Sequence, residues 1–121
     1  MGQEAAATAR TAQHDSPVAG LARFFPDASP LRMRLQLARI MPGSAPAAAR
    51  FSESVVIEFG TPREVLFECD TALEFGDELR LRHSDGSFNV AVWVVAVQYQ
   101  RGKTVVAARF RDAVPNWIVK S

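Results

Sequence analysis

Short stretches of alternating apolar and polar residues, cut by turns that contain glycine, make up residues 51–110 of this 121-residue chain. The turns are Gly60-Thr61-Pro62, Phe75-Gly76-Asp77, Ser84-Asp85-Gly86 and Arg101-Gly102-Lys103. Strands at such regular spacing, with no helical periodicity between them, are typical of one small antiparallel barrel or sandwich. Folds of this class usually serve as binding modules, so the function has to be sought in a few residues carried by the scaffold.

Alternation with a period of two residues locates the individual strands. The first begins at Leu31, where apolar residues alternate with mostly polar ones, and it ends at a loop over residues 42–46. The other predicted strands span residues 51–59, 64–69, 78–83, 88–99 and 104–110. The sequence therefore predicts an all-β fold, a six-stranded antiparallel barrel.

The same alternation predicts which side chains are buried. In the second strand, Val55, Ile57 and Phe59 fall on one inner face. The centre of the fifth strand is apolar on both faces, which predicts that Trp93 belongs to the core. Trp117 stands in an apolar segment after the last strand and is expected to plug an open end of the barrel.

The N-terminal part of the chain differs from the rest. Residues 1–22 are mostly small or polar and aperiodic, so they cannot bury enough apolar area to offset the entropy cost of ordering them. They are predicted to form a flexible N-terminal tail before a barrel domain over residues 23–121, and deletion of residues 1–20 is expected to leave the melting temperature nearly unchanged. The patch from Leu21 to Phe25 is the exception, because Phe24 and Phe25 are apolar enough to dock on a protein surface.

The composition limits which cellular compartment and which classes of partner are expected for the chain. The formal net charge of +1 provides no bulk attraction to nucleic acid or to acidic membranes, so neither is expected as a partner. The single cysteine, Cys69, permits no internal disulfide, suits a reducing compartment and is expected to be a small buried residue. No window reaches the run of about 18 apolar residues that a spanning helix needs, and the N-terminus lacks the features of a secretory signal. We therefore expect a cytoplasmic protein.

Residues 64–110 resemble a PilZ domain, and a looser similarity extends over residues 23–119. The segments that carry the resemblance are Val65-Leu66-Phe67-Glu68, Leu73-Glu74-Phe75-Gly76-Asp77-Glu78-Leu79-Arg80-Leu81, Val90-Ala91-Val92-Trp93-Val94 and Val105-Val106-Ala107-Ala108-Arg109-Phe110. In the family they correspond to a strand, a glycine turn leading into a strand, a strand ending near a tryptophan, and a closing strand. PilZ domains are known as receptors for cyclic diguanylate, so the resemblance implies a PilZ-like β-barrel in bacterial second-messenger signalling.

The family binds its ligand through an R-x-x-x-R motif before the first strand and a [D/N]-x-S-x-x-G motif that runs into the third. Here no two arginines are four residues apart, and the best positional match to the first motif is Arg23-Phe24-Phe25-Pro26-Asp27. At the second motif the matching residues are Phe59, Thr61 and Glu64, of which only Thr61 keeps a hydroxyl. Because each lost bidentate arginine contact costs about 1–3 kcal/mol, tight binding of the dinucleotide is not expected.

Three hypotheses follow. The first is a PilZ-like regulatory adaptor for an unidentified protein partner, in which the cyclic-diguanylate site has decayed. The second is a functional receptor in which Arg23, Arg32 or Arg34 closes over Thr61, and these four are the candidate ligand-binding residues. The third, an unrelated barrel for single-stranded nucleic acid, is the weakest because the aromatic residues fall mostly on predicted inner faces. Arg32 and Arg34 also fit a solvated strand face without any ligand.

Nothing in the sequence indicates catalysis or a bound metal. It contains no glycine-rich phosphate loop, no G-x-S-x-G and no H-E-x-x-H. His14 and His83 are isolated, and the acidic residues between positions 64 and 74 do not match a calcium loop. We expect a binding module that is not an enzyme and has no cofactor, for which cyclic diguanylate would be a ligand.

Overall fold

Six strands form a closed antiparallel barrel with the order β1-β2-β3-β6-β5-β4. The computed structural model describes residues 16–41, 43, 50–114 and 117. The strands are β1 (Ser29–Ile40), β2 (Phe51–Gly60), β3 (Glu64–Cys69), β4 (Glu78–Arg82), β5 (Asn89–Gln100) and β6 (Lys103–Phe110). The predicted fold class is confirmed, and the strand ends lie close to the predicted ones. The tail predicted for residues 1–15 lies outside the described residues.

The barrel interior is filled by every second residue of the strands. β1 and β4 close the barrel side by side, with Leu37 opposite Leu81. Both leucines are buried, as are Leu35 and Leu79 on the same strands, and Phe67 of β3 is fully buried between them and the other strands. Burial of each such side chain contributes about 1.5–3 kcal/mol to the stability of the fold.

A bulge in β2 changes the predicted pattern. Ile57 lies opposite Phe67 and points into the interior, but the register shifts before Phe59, which lies opposite Leu66. Phe59 and Leu66 therefore belong to a second apolar cluster outside the barrel. The prediction that Phe59 shares the inner face of Val55 and Ile57 is wrong, because one additional residue reverses the alternation beyond the bulge.

A short helix, α1 (Pro17–Ala22), covers this outer apolar cluster. Val18 and Leu21 of α1 are buried against outward-facing residues of the barrel wall. The residues beneath the helix are Phe59, Leu66, Val105 and Ala107. The prediction that the whole of residues 1–22 is a tail is therefore wrong for α1, because these six residues bury two large apolar side chains that a free segment would expose to water.

The start of α1 is set by a hydrogen-bonded cap. The Ser16 hydroxyl accepts a hydrogen bond from the Ala19 amide at 3.1 Å, and Pro17 occupies the first helical turn, where its missing N–H costs nothing. The same hydroxyl donates to Oε1 of Glu58 on β2 at 3.1 Å, which ties the helix to the barrel wall. Among the residues that the structure describes, no helix is long and apolar enough to cross a membrane.

Trp93 lies on the outer face of β5. Its neighbours along the strand, Val92 and Val94, point inward and are buried, whereas 49% of Trp93 is exposed. The prediction that Trp93 belongs to the core is wrong, because α1 and the segment that follows it cover the outer face only further along β5, at Val95 and Ala96. Trp117, in contrast, is buried in the interior cluster, as predicted.

Candidate binding site

A pocket of about 590 Å³ lies between the segment that connects α1 to β1 and the turn that connects β2 to β3. One wall is formed by Phe24, Phe25, Pro26 and Asp27, and the other by Thr61, Pro62, Arg63, Glu64 and the β6 residue Arg109. The volume lies within the range of small-molecule sites. The pocket thus brings residues 24–27 and 61–64, which are far apart in the sequence, into one site.

The turn between β2 and β3 is held by reciprocal hydrogen bonds between Thr61 and Glu64. The Thr61 amide donates to the Glu64 carbonyl at 2.9 Å, and the Glu64 amide donates to the Thr61 hydroxyl oxygen at 2.8 Å. That oxygen also accepts from the Arg63 amide at 3.0 Å, while the hydroxyl itself donates to Oε1 of Glu64. The Thr61 hydroxyl is therefore fully engaged within the turn.

The Glu64 carboxylate is buried beneath an arginine of the neighbouring strand. Its Oε2 atom accepts a hydrogen bond from Nε of Arg109 at 3.0 Å and forms an ion pair with Nη2 of the same guanidinium at 2.9 Å. The side chain of Glu64 is only 9% exposed, whereas that of Arg109 is 54% exposed. A molecule that enters the pocket consequently meets the guanidinium before the carboxylate.

The same turn is anchored to the end of the barrel. The Thr61 carbonyl accepts a hydrogen bond from Nε1 of Trp117 at 2.8 Å, and the Arg63 carbonyl accepts one from the Phe110 amide at 2.8 Å. Phe110 and Trp117 pack edge to face, with ring centroids 5.2 Å apart. The backbone of Arg63 is thus fixed while its exposed side chain lines the pocket.

The opposite wall is held by consecutive turns after α1. The amides of Phe24 and Phe25 donate to the carbonyls of Leu21 and Ala22, at 3.1 and 2.9 Å. Phe25 packs against the outer apolar cluster, whereas 73% of Phe24 is exposed. Leu21 and Phe25 of this patch dock on the barrel as predicted, whereas the ring of Phe24 is not covered by this chain and is available for contact with a bound molecule.

The four candidate residues from the sequence do not share one site. Thr61 lines the pocket described above, but it is buried and hydrogen bonded. Arg32 lines a different depression, and neither of these two depressions is lined by Arg23 or Arg34. Arg34 is exposed on β1, where it lies opposite Val56. The structure places arginines at the pocket, but they are Arg63 and Arg109.

Arg32 instead lies in an acidic environment on the outer face of β2 and β3. The depression there has a volume of about 610 Å³ and is lined by Glu53, Glu58, Glu68, Asp70 and Lys103, among others. Burial raises the pKa of Glu58 and the nearby Glu68 raises it further, while the Ser16 hydrogen bond and the charge of Arg32 lower it.

Within the described part of the chain, no group of three or more His, Cys, Asp or Glu side chains is arranged to hold a metal ion.

The exposed cationic and aromatic side chains near the pocket include Arg63, Arg109 and Trp93. None of these was predicted from the sequence as a ligand-binding residue. A sequence signal existed for Arg109, since it interrupts the apolar run of β6 at an outward position. Arg63 sits in a turn, where a charged residue is ordinary, and Trp93 stands in an apolar run that suggests burial. Only the register of the strands places Trp93 directly opposite Arg109.

Comparisons with known proteins do not assign this chain to a family. No protein-family model, no curated protein and no solved structure matches the chain. The resemblance to the PilZ family therefore stays a prediction, which depends on the sequence segments quoted above.

Proposed function

We propose that this chain is a PilZ-like binding module of bacterial signalling that acts as a regulatory adaptor for another protein, with a decayed cyclic-diguanylate site. The proposal depends on which residues line the pocket between residues 24–27 and 61–64. At the position of the second family arginine it has the carboxylate of Asp27, and at the position of the family glycine it has Glu64. The proposed module is cytoplasmic and not an enzyme.

The hydrogen bonds of the pocket support the proposed loss of dinucleotide binding. The Thr61 hydroxyl, which stands where the family has its serine, is already bound to the carboxylate of Glu64. A ligand phosphate at the pocket would face the exposed carboxylate of Asp27 without a second positional arginine to oppose it. Arginine clamps on phosphate owe their strength to paired donors, and here the pair of the first family motif is reduced to Arg23, which does not line this pocket.

The proposal is tested by calorimetric titration of the full chain with cyclic diguanylate. No saturable heat is expected at concentrations below about 10 µM, a threshold that corresponds to roughly −7 kcal/mol. The matched variant is Asp27→Arg, which restores the R-x-x-x-R spacing with Arg23 at an exposed position. This variant is expected to gain measurable affinity. Tight, saturable binding by the natural chain would refute the decayed site.

A second candidate function, a receptor for cyclic diguanylate with non-standard arginines, is favoured by one observation. Arg63 and Arg109 line the pocket opposite the exposed ring of Phe24, so stacking and arginine donors are both present. If calorimetry shows binding, Arg63→Ala should weaken it under this version. Loss of binding in Arg23→Ala or Arg34→Ala would instead support the arginine clamp predicted from the sequence.

A further inference from the structure

An exposed tryptophan lies beside two arginines on the outer face of β5 and the end of β6. Trp93 lies directly opposite Arg109 on β6, and the amide of Arg111 donates to the carbonyl of Ala91, two residues before Trp93 on the same face. Alternate residues of an extended chain share a face, so Arg109 lies directly across from the exposed indole and Arg111 lies diagonally across from it. We call Trp93, Arg109 and Arg111, together with Phe24 and Arg63 at the neighbouring pocket, the Arg-Trp surface.

Arg109 and Arg111 of this surface each form an ion pair with a less exposed carboxylate. Nη1 of Arg111 contacts Oε2 of Glu78 at 2.6 Å, and Glu78 lies opposite Trp93 on the other side of β5. The side chain of Arg111 is 49% exposed and that of Glu78 only 28%, which repeats the relationship between Arg109 and the nearly buried Glu64. The carboxylates therefore orient the guanidinium groups, while the groups that face a partner are cationic.

Exposed aromatic rings stand on both sides of Arg109. Trp93 is its cross-strand neighbour on β5, and Phe24 shares the pocket that Arg109 lines from the opposite direction. Tryptophan and arginine are among the residues most enriched at the hot spots of protein interfaces. These hot spots lie near the centre of the interface, where the bound partner excludes water. Arg109 is held in place, because its guanidinium is hydrogen bonded and ion paired to Glu64 while 54% of its side chain stays exposed.

We propose that the Arg-Trp surface binds an extended, acidic segment of a partner protein, in which a carboxylate stands between two apolar side chains. In an extended segment, residues i, i+2 and i+4 share one face. A carboxylate at i+2 pairs with Arg109 and Arg111, and the apolar side chains at i and i+4 contact Trp93 and Phe24. This inference rests on the proposed adaptor function and assigns the chemistry of its partner.

A nucleic acid fits this surface less well. Its phosphates form a continuous row of negative charge, and binding depends on several lysine or arginine contacts to them. Asp27, Glu64 and Glu78 lie within or directly beneath the Arg-Trp surface. A peptide with a single carboxylate between apolar side chains brings less negative charge near these three acidic positions than a row of phosphates does.

The test is selection of random displayed peptides on the immobilised full chain, followed by anisotropy titration of the enriched peptides. The enriched sequences are expected to share an acidic residue with apolar residues two positions before and after it. Trp93→Ala and Arg111→Gln should each weaken their binding, by roughly tenfold or more for Trp93→Ala. Both positions are exposed, so these variants are expected to keep the melting temperature of the natural chain.

Arg34→Gln is the matched control, since it removes an exposed arginine from β1, outside the Arg-Trp surface. Its affinity for the enriched peptides should equal that of the natural chain. The inference is overturned if no peptide is enriched, if the enriched peptides lack an acidic residue, or if they bind Trp93→Ala and Arg111→Gln normally. Preferential binding of a single-stranded oligonucleotide through Trp93 would also overturn it. Failure of the adaptor proposal is recognised separately, by tight binding of cyclic diguanylate in calorimetry.

Discussion

The indole of Trp117 occupies the space that a side chain on Gly60 would need. A Cβ atom on Gly60 would lie 2.5 Å from Cη2 and 2.6 Å from Cζ2 of Trp117, and 2.7 Å from Cδ2 of Leu31. The ring also packs against Phe88 and Phe110 and donates its Nε1 proton to the Thr61 carbonyl. Gly60 thus allows Trp117 to enter the end of the barrel and to hold the turn that lines the pocket.

Gly60→Ala is expected to destabilise the chain by roughly 1–3 kcal/mol, because inserting a methyl group into a filled interior displaces the ring. The free energy of unfolding is measured by denaturant titration. Gly20→Ala is the control of opposite sign, since a Cβ atom on Gly20 of α1 would meet no neighbouring atom within 4 Å, and alanine favours a helix over glycine by about 0.5–1 kcal/mol. Equal stability of Gly60→Ala and the natural chain would contradict the placement of Trp117.

Removal of the contact between α1 and the barrel should lower stability. Leu21→Ala is expected to cost roughly 2–5 kcal/mol, since Leu21 is almost fully buried in the outer cluster. Deletion of residues 1–20 removes Val18 and the Ser16 cap, so the structure predicts a fall in melting temperature, whereas the sequence alone predicts an unchanged value. Arg23→Ala, at the exposed end of the helix, is the control and should change stability by less than about 0.5 kcal/mol.

The carboxyl group of Glu58 should make stability depend on pH. Burial raises its pKa above the usual 4.5, so protonated Glu58 favours the folded chain. This contribution is complete below the unfolded pKa and is lost as the pH rises through the raised folded pKa. Glu58→Gln keeps an oxygen to accept from Ser16 and has no charge, so its stability relative to the natural chain should increase between about pH 4 and pH 7.

Thermal unfolding of Glu58→Gln and the natural chain across this pH range measures the effect. Ser16→Ala provides a second comparison, because the Ser16 hydrogen bond lowers the pKa of Glu58. Its removal should enlarge the loss of stability with rising pH, beyond the constant cost of the lost helix cap. A stability difference between Glu58→Gln and the natural chain that does not change with pH would contradict the assigned environment of Glu58.

The thiol of Cys69 should be unreactive in the folded chain. Burial raises its pKa to about 12, the charge of Glu53 contributes in the same direction, and Sγ donates to the Thr71 carbonyl at 3.3 Å. Since the thiolate is the reactive form, iodoacetamide at about pH 8 should modify the native chain far more slowly than the chain in denaturant. Mass spectrometry measures both rates. Rapid modification under native conditions would show that the end of β3 opens readily.

The structural role of Glu53 could not be predicted from the sequence pattern alone. It interrupts the apolar alternation of β2, yet its carboxylate accepts hydrogen bonds from the Asp70 amide at 2.6 Å and from the Thr71 hydroxyl at 2.7 Å. The acid therefore holds the loop that follows β3. Its partners lie 17 and 18 residues away along the chain. Their proximity depends on the pairing of β2 with β3, which no local pattern reports.

Period-two alternation in the sequence determined the number of strands, their approximate ends and the inward positions such as Leu35 and Leu81, because alternation is a property of each strand's own backbone. The tertiary structure decided what covers the outer face. Leu66 is buried because α1 lies over it, and Trp93 is exposed because α1 does not reach it. The candidate site likewise combines residues 24–27, 61–64 and Arg109, segments far apart in the chain that only closure of the barrel brings together.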